Sequence, residues 1–424
     1  MTLALLGLAI IVLLVLRVPV AFAFLGPSMA YMAIEGQSLG MALRHVSNAA
    51  SSFPLLAVPL FVLLGTLANH AGIAERMFRF ALAVLARVRG SLGYVAVGTS
   101  VGFSWMSGSA VADAAALGKV QIPAMLRNGY GRRFATGVSA SAALIAPVMP
   151  PSIPAVIFAG LAAVSTGALF AASVIPALLM ALGLCIVVFI LVRRDPNIRR
   201  GEFSWAEVKA SSKGIILPFF APIIILGGIL GGFFTPTEAA AVAVVYILFV
   251  GLVQRSLSWR GFLAAMKEAV TTSASILIIV ASAALLGYIL ARERLPQMLT
   301  ELVFSITSSP TVFLLLAVAM MLVLGTVIDA TAILVLVVPI LMPISAQFGV
   351  DPIVLGVVMI ISLMIGLLTP PVGTVLFVTS AVSKSTIGQV FRGTLPFIIP
   401  FLVIVLLAVL FPDAVLWLPG VLGL

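Results

Sequence analysis

The chain reads as long apolar runs separated by short polar breaks. Phe134 to Val192 holds no Asp, Glu, Lys or Arg, and Gly214 to Val253 holds only Glu238. Runs of this kind predict membrane spans, each needing ~20 apolar residues. Thr2–Leu16 predicts a span running inward to Arg17, and Val18–Ile34 one running outward. Met1 opens directly into apolar sequence with no small-residue cleavage site after a short core, so a first span is expected, not a cleaved signal peptide. Leu43–Ser51 and Trp259–Thr271 predict amphipathic interfacial helices. Glu75–Arg87 and Pro296–Ser305 predict arm helices joining an outer scaffold to an inner part, and Pro396–Phe411 predicts a final span.

Charge placement orients two segments that do not behave as single spans. Arg87 and Arg89 precede Gly90–Leu126, while Lys119, Arg127, Arg132 and Arg133 lie in or after its end. Both ends are therefore cytoplasmic, and the segment is a hairpin turning back near Met106–Ser109. Pro310–Phe348 carries no basic residue, so both its ends read as extracytoplasmic and its turn falls near Gly325–Asp329. Each hairpin precedes an apolar segment broken at its centre. Residues 134–165 break at Pro147, Pro150 and Pro151, and residues 353–384 break at Thr369-Pro370-Pro371-Val372-Gly373. Proline removes an amide donor and clashes with the preceding turn. Such backbone is tolerated at membrane depth only where it is buried in protein or lines a cavity, so a binding site is expected at the breaks.

The two halves repeat one another. RVPVAFAFLG at Arg17–Gly26 parallels FTPTEAAAVA at Phe234–Ala243. Asp113 and Pro123 match Asp329 and Pro339, each 216 residues on, and Pro150-Pro151 match Pro370-Pro371, 220 on. Three matches in one order, entered from opposite faces, make an inverted repeat with helix breakers at matching places. The expected fold is an all-α polytopic membrane protein with two re-entrant hairpins and two broken helices. Its expected parts are a first repeat over 1–192, a cytoplasmic basic linker over 193–213, a second repeat over 214–394 and a C-terminal span over 395–424.

Composition agrees: 62% of the 424 residues are hydrophobic and only 8% charged, against roughly 25% charged in soluble domains. The net charge of +10 lies in short loops and reports the positive-inside rule, not nucleic-acid binding. The basic cluster Arg193, Arg194, Arg199, Arg200, Lys209 and Lys213 marks the linker. The single cysteine, Cys185, excludes an intrachain disulfide. His45 and His70 are read as interfacial residues.

SGSAVADAAALG, MPPSIPA, FFTPTEAAAVAV, GTVIDATAIL and IGLLTPPVGT, in this order along nearly the whole chain, resemble the large membrane subunit of TRAP transporters (tripartite ATP-independent periplasmic transporters). The resemblance implies a bacterial inner-membrane protein and an elevator mechanism with sodium-coupled import of an organic acid. It also implies two partners, a small four-helix membrane subunit, expected as a separate chain, and a periplasmic substrate-binding protein.

Sodium takes hard oxygen ligands, which unpaired carbonyls at a helix break supply together with Ser and Thr hydroxyls. One site is expected from Ser107, Gly108 and Ser109 with Pro150, Pro151 and Ser152, and another from Gly325 and Thr326 with Thr369, Pro370, Gly373 and Thr374. The alternative is that these small residues only allow close helix packing. Ser107, Ser109, Ser165, Asp329 and Arg292 are candidate substrate contacts, with Arg294 an alternative to Arg292; pairing of either arginine with Glu293 or Glu301 is the competing reading. Asp113 and Asp329, intramembrane carboxylates, are read either as coupling groups or as helix caps. Glu238 follows TPT at a helix start and is read either as a coupling group or as structural, the helix dipole being sufficient reason for it there.

A rival from another class is an intramembrane aspartyl protease using Asp113 and Asp329. Such proteases carry GxGD, whereas the second aspartate here sits in Gly325-Thr-Val-Ile-Asp329. A channel needs no inverted broken-helix hairpins, and an ATP-driven permease needs the GxxxxGK[ST] loop that the chain lacks.

Overall fold

The computed structural model describes residues 3–16, 18–193, 198 and 201–424, with Phe53 and Pro54 in backbone only. Parts of three expectations, the start of the first span at Thr2, its end at Arg17 and the linker residues 194–197 and 199–200, lie outside the described residues. The described residues form an all-helical bundle. Six helices are long and apolar enough to cross a membrane, or up to eight spans if each bent pair counts as one.

In chain order the first half contains α1 (Leu3–Val15), α2 (Val20–Ile34), α3 (Leu39–Ala50), α4 (Ala57–His70) and α5 (Ile73–Leu85). The bend between α4 and α5 is 62°, turned at Gly72, whose φ of +68° suits glycine. The arm expected at Glu75–Arg87 is α5. The first hairpin is α6 (Ser91–Ser107), then α7 (Ala110–Ala116) and α8 (Gly118–Arg127). The first broken helix is α9 (Arg132–Ala143) and α10 (Ile153–Ala162), and α11 (Thr166–Arg193) closes the half.

The second half contains α12 (Trp205–Leu230), α13 (Pro236–Val253), α14 (Trp259–Arg292) and the arm α15 (Leu295–Ile306). The second hairpin is α16 (Pro310–Gly325) and α17 (Ala330–Gln347), turned 117° from α15. The second broken helix is α18 (Pro352–Gly366) and α19 (Thr374–Ser383), followed by α20 (Ile387–Leu410) and α21 (Pro412–Leu422).

Three expectations change. Trp259–Thr271 is not a separate interfacial helix: it is the first third of α14, 34 residues or ~51 Å long. No Gly or Pro lies between Gly261 and Gly287 to stop it, and the Thr271 and Ser275 hydroxyls bond back to the carbonyls four residues earlier, leaving the ladder intact. The last span begins at Ile387, not Pro396, because Thr386 and Gln389 form a capping box there, and α21 follows it. Lys209 and Lys213, read as linker, lie on α12.

Small residues bring the inner helices together. A Cβ on Gly137 of α9 would overlap the carbonyl of Gly393 on α20, and one on Gly366 of α18 would lie 2.6 Å from Gly325 Cα on α16. These crossings are in backbone contact, the close approach that small residues allow between membrane helices. α14 packs along α2, α3, α4 and α17, so it adjoins the second hairpin.

Candidate functional site

Each hairpin tip rests on the break of its own half. In the first half α6 ends at Gly108, with φ 58°. Ser109 is extended, and its Oγ accepts the Ala112 amide at 3.4 Å to cap α7. The Gly108 carbonyl accepts the Ile153 amide at 3.5 Å, and a Cβ on Gly108 would lie 2.7 Å from the Pro151 carbonyl. The Pro150–Pro151 bond is cis. Ser152 caps α10, its Oγ accepting the Ala155 amide at 3.1 Å and donating to the Pro147 carbonyl.

The second half repeats this arrangement. The Thr326 carbonyl accepts the Val372 amide at 2.9 Å and the Gly373 amide at 3.3 Å. Pro370–Pro371 is again cis, and Gly373 has φ 52°. Thr326 Oγ1 donates to the Val323 carbonyl at 2.8 Å and Thr369 Oγ1 to the Ile365 carbonyl at 3.0 Å. Both spend their proton on a helix and keep lone pairs free. Thr374 Oγ1 is buried and makes no hydrogen bond.

Both tips meet at one cavity of about 130 Å³. Its wall carries Ser107, Gly108 and Ser109 from the first tip, Asp329 and Thr331 from the second, and Pro147 and Pro154 from the first break; Thr66 of α4 and Glu268 and Thr272 of α14 face them. A larger cleft of about 460 Å³, lined by Arg76, Arg79 and Glu207, lies between α5 and α12, away from both tips. The first turns of α7, α10 and α17 all border the tip cavity, so three helix N-termini lie beside it, that of α17 capped by Asp329. Among the described residues its lining includes two carboxylates, Glu268 and Asp329, and no Lys, Arg or His. Glu268 Oε2 lies 3.2 Å from His70 Nε2.

The sequence-predicted residues separate into groups. Ser107, Gly108, Ser109 and Asp329 reach the cavity, whereas Gly325, Thr326, Thr369, Pro370, Gly373 and Thr374 do not line it. Pro150, Pro151 and Ser152 are buried behind it. Ser165 lies outside, its Oγ accepting the Ala168 amide at 3.2 Å. Arg292 also lies outside, close enough to Tyr31 and Glu35 to act on both electrostatically. Arg294 ends the turn before α15 with φ 57°. Glu238 closes a capping box with Thr235.

The two aspartates differ despite their matching positions. Asp329 caps α17, its Oδ1 accepting the Thr331 amide at 2.9 Å. Asp113 is fully buried; Oδ1 accepts from Ser107 Oγ and Oδ2 has no partner. Neither bonds the other, so the shared proton of an aspartyl protease has no place here. Glu268, Thr272 and Thr66 escaped the sequence reading. The i, i+4, i+8 spacing of Glu268, Thr272 and Ile276 was the available signal.

Two hairpins, two broken helices and a cavity at their tips, built from helices apolar enough to cross a membrane, are the architecture of a membrane transport protein. The chain matches the family model described as tripartite ATP-independent periplasmic transporter, DctM component, over residues 8–414, and it belongs to that family. It is 40% identical over 403 residues to the sialic acid TRAP transporter large permease protein SiaM of Vibrio cholerae, covering 95% of this chain and 94% of that one. It is 37% identical over 389 residues to the C4-dicarboxylate TRAP transporter large permease protein DctM of Pseudomonas aeruginosa, covering 92% and 90%. Among solved structures, the YdaH transporter of Alcanivorax borkumensis aligns with a TM-score of 0.64 at 15% identity, over 88% of this chain and 89% of that one. That likeness concerns the fold alone.

Proposed function

We propose that this subunit carries an organic acid inward with sodium, by movement of the hairpin-bearing core against a scaffold. The observation that carries the proposal is the convergence of both tips and three helix N-termini on one cavity. Helix N-termini attract carboxylates. Carbonyl and hydroxyl oxygens at the tip–break contacts suit a hard cation, as in transporters with discontinuous helices. Relatives named for sialic acid and for C4-dicarboxylates support a carboxylate substrate.

In this mechanism a periplasmic binding protein delivers the acid, and a small membrane subunit completes the complex. Sodium enters with the acid as co-substrate, at Ser107–Ser109 with Pro150–Ser152 and at Gly325–Thr326 with Thr369–Thr374. Each net positive charge moved inward gains ~2.3 kcal/mol per 100 mV. The α4 and α14 faces are scaffold, and α5 and α15 are arms.

Reconstitution of the chain with its small subunit and binding protein tests this, using uptake of sialic acid and C4-dicarboxylates under imposed sodium gradients. Uptake of one acid class that follows sodium and potential is expected. Uptake that persists without a sodium gradient and requires ATP would overturn the proposal.

A further inference from the structure

A different feature lies on the far side of the bundle, where α11 packs on α20. Gly183 closes against Pro400, while Leu191 sits with Arg392 and Pro396, so the two helices run antiparallel. Between them runs a groove of about 550 Å³ with a wholly apolar wall, reaching Leu179 on α11 and Leu407 on α20. Leu191 and Pro396 also line a neighbouring pocket of about 330 Å³, which carries Arg133 and Arg392. Phe134 and Phe397, edge to face at 6.1 Å, line this second pocket. Neither guanidinium forms an ion pair or side-chain hydrogen bond with a described residue. Arg133 and the nearby end of α11 belong to the basic segments that charge bias places in the cytoplasm.

We propose that the two pockets together bind one anionic phospholipid of the cytoplasmic leaflet, with its phosphate on Arg133 and Arg392 and an acyl chain along α11 and α20. The dimensions favour a lipid over a partner helix. From Pro396 to Leu407 the groove spans ~16 Å of helix, the depth of one leaflet of a ~30 Å hydrocarbon core. The groove volume spread over that length leaves a section of about 35 Å², against roughly 80 Å² for a helix ~10 Å across. The two unpaired arginines give the site its charge sign, and basic pockets between membrane helices on the cytoplasmic side suit anionic head groups.

The test is native mass spectrometry of the full-length chain released from nanodiscs of mixed phosphatidylglycerol and phosphatidylethanolamine. The wild type is expected to retain one phosphatidylglycerol. Arg133→Gln with Arg392→Gln should weaken retention roughly thirtyfold, from the worth of two arginines near an anionic surface. Val403 lines the groove, and Val403→Trp should block it and lose the lipid with both arginines intact. If that variant fails to fold, the arginine pair, exposed on the surface, decides alone. Equal retention of the two lipids by the wild type, or undiminished phosphatidylglycerol on the double Gln variant, would overturn the proposal.

Discussion

Thr374→Val separates ion ligation from helix packing by how far sodium stabilises the variant. Among the hydroxyls assigned to the two sodium sites, only Thr374 Oγ1 is without a hydrogen bond; those of Ser107, Ser109, Ser152, Thr326 and Thr369 are all engaged. Valine keeps the branched shape and removes the oxygen. A buried hydroxyl without a partner costs ~1–3 kcal/mol, so without sodium the variant should be more stable than the wild type by up to that amount. With sodium that advantage shrinks or reverses. Loss of a ligand to a charge, ~1.5–3 kcal/mol, weakens binding roughly ten- to a hundredfold. Sodium at a hundred times its Kd stabilises the wild type by ~2.7 kcal/mol, and a thirtyfold weaker site leaves ~0.9 kcal/mol. The assay is thermal unfolding in sodium chloride against choline chloride at equal ionic strength, with the sodium dependence of uptake beside it. A sodium increment equal in variant and wild type would refute ligation by Thr374.

Three further outcomes follow from named contacts. Ser107→Ala leaves the buried Asp113 carboxyl with neither oxygen bonded and should destabilise by ~1.5–3 kcal/mol; an unchanged unfolding midpoint would show that another group takes over. Gly393→Ala drives a methyl into the Arg133 carbonyl and should cost ~1–3 kcal/mol, whereas Gly388→Ala on the same helix meets nothing within 4 Å and should be neutral or mildly stabilising; size-exclusion recovery after heating compares the two. Glu238→Gln keeps the capping box, so stability and uptake should match the wild type, and lost sodium coupling in that variant would give Glu238 a role beyond the cap.

The hairpins and breaks were legible because Gly, Pro and Ser at fixed places dictate where a helix stops, and the same residues recur about 216 to 220 positions later. Side-chain roles were less legible. By the 216-residue offset Ala110 corresponds to Thr326, yet α17 restarts only at Ala330. That four-residue delay turns Asp329 into an N-cap, while Asp113 lies inside the first turn of α7, already capped by Ser109. The amphipathic pattern of Trp259–Thr271 told which face is wet but not where the helix ends, and Glu268 went unnoticed with it. Arg292 could not be placed because its surroundings, Tyr31 and Glu35, come from a helix distant in sequence.

Under the proposed elevator mechanism, the position of the cavity makes the movement testable. Its wall is shared between the tips and α4 with α14, so an elevator must change which residues face each other there. Ala110 and Thr272 line the cavity from its two sides, and Cys185 is the only native cysteine. In a Cys185→Ala background, cysteines at 110 and 272 joined by a short bifunctional maleimide would tie core to scaffold. Uptake should fall to background once joining is complete, with the unfolding temperature preserved or raised. A matched pair on α10 and α17, which pack together within the core, should leave uptake near normal, because both ends travel together. If α4 and α14 moved with the tips, the first pair would be as harmless as the second. Full uptake after complete joining of residues 110 and 272 would therefore remove the elevator reading, while leaving the sodium assignments to stand or fall on Thr374.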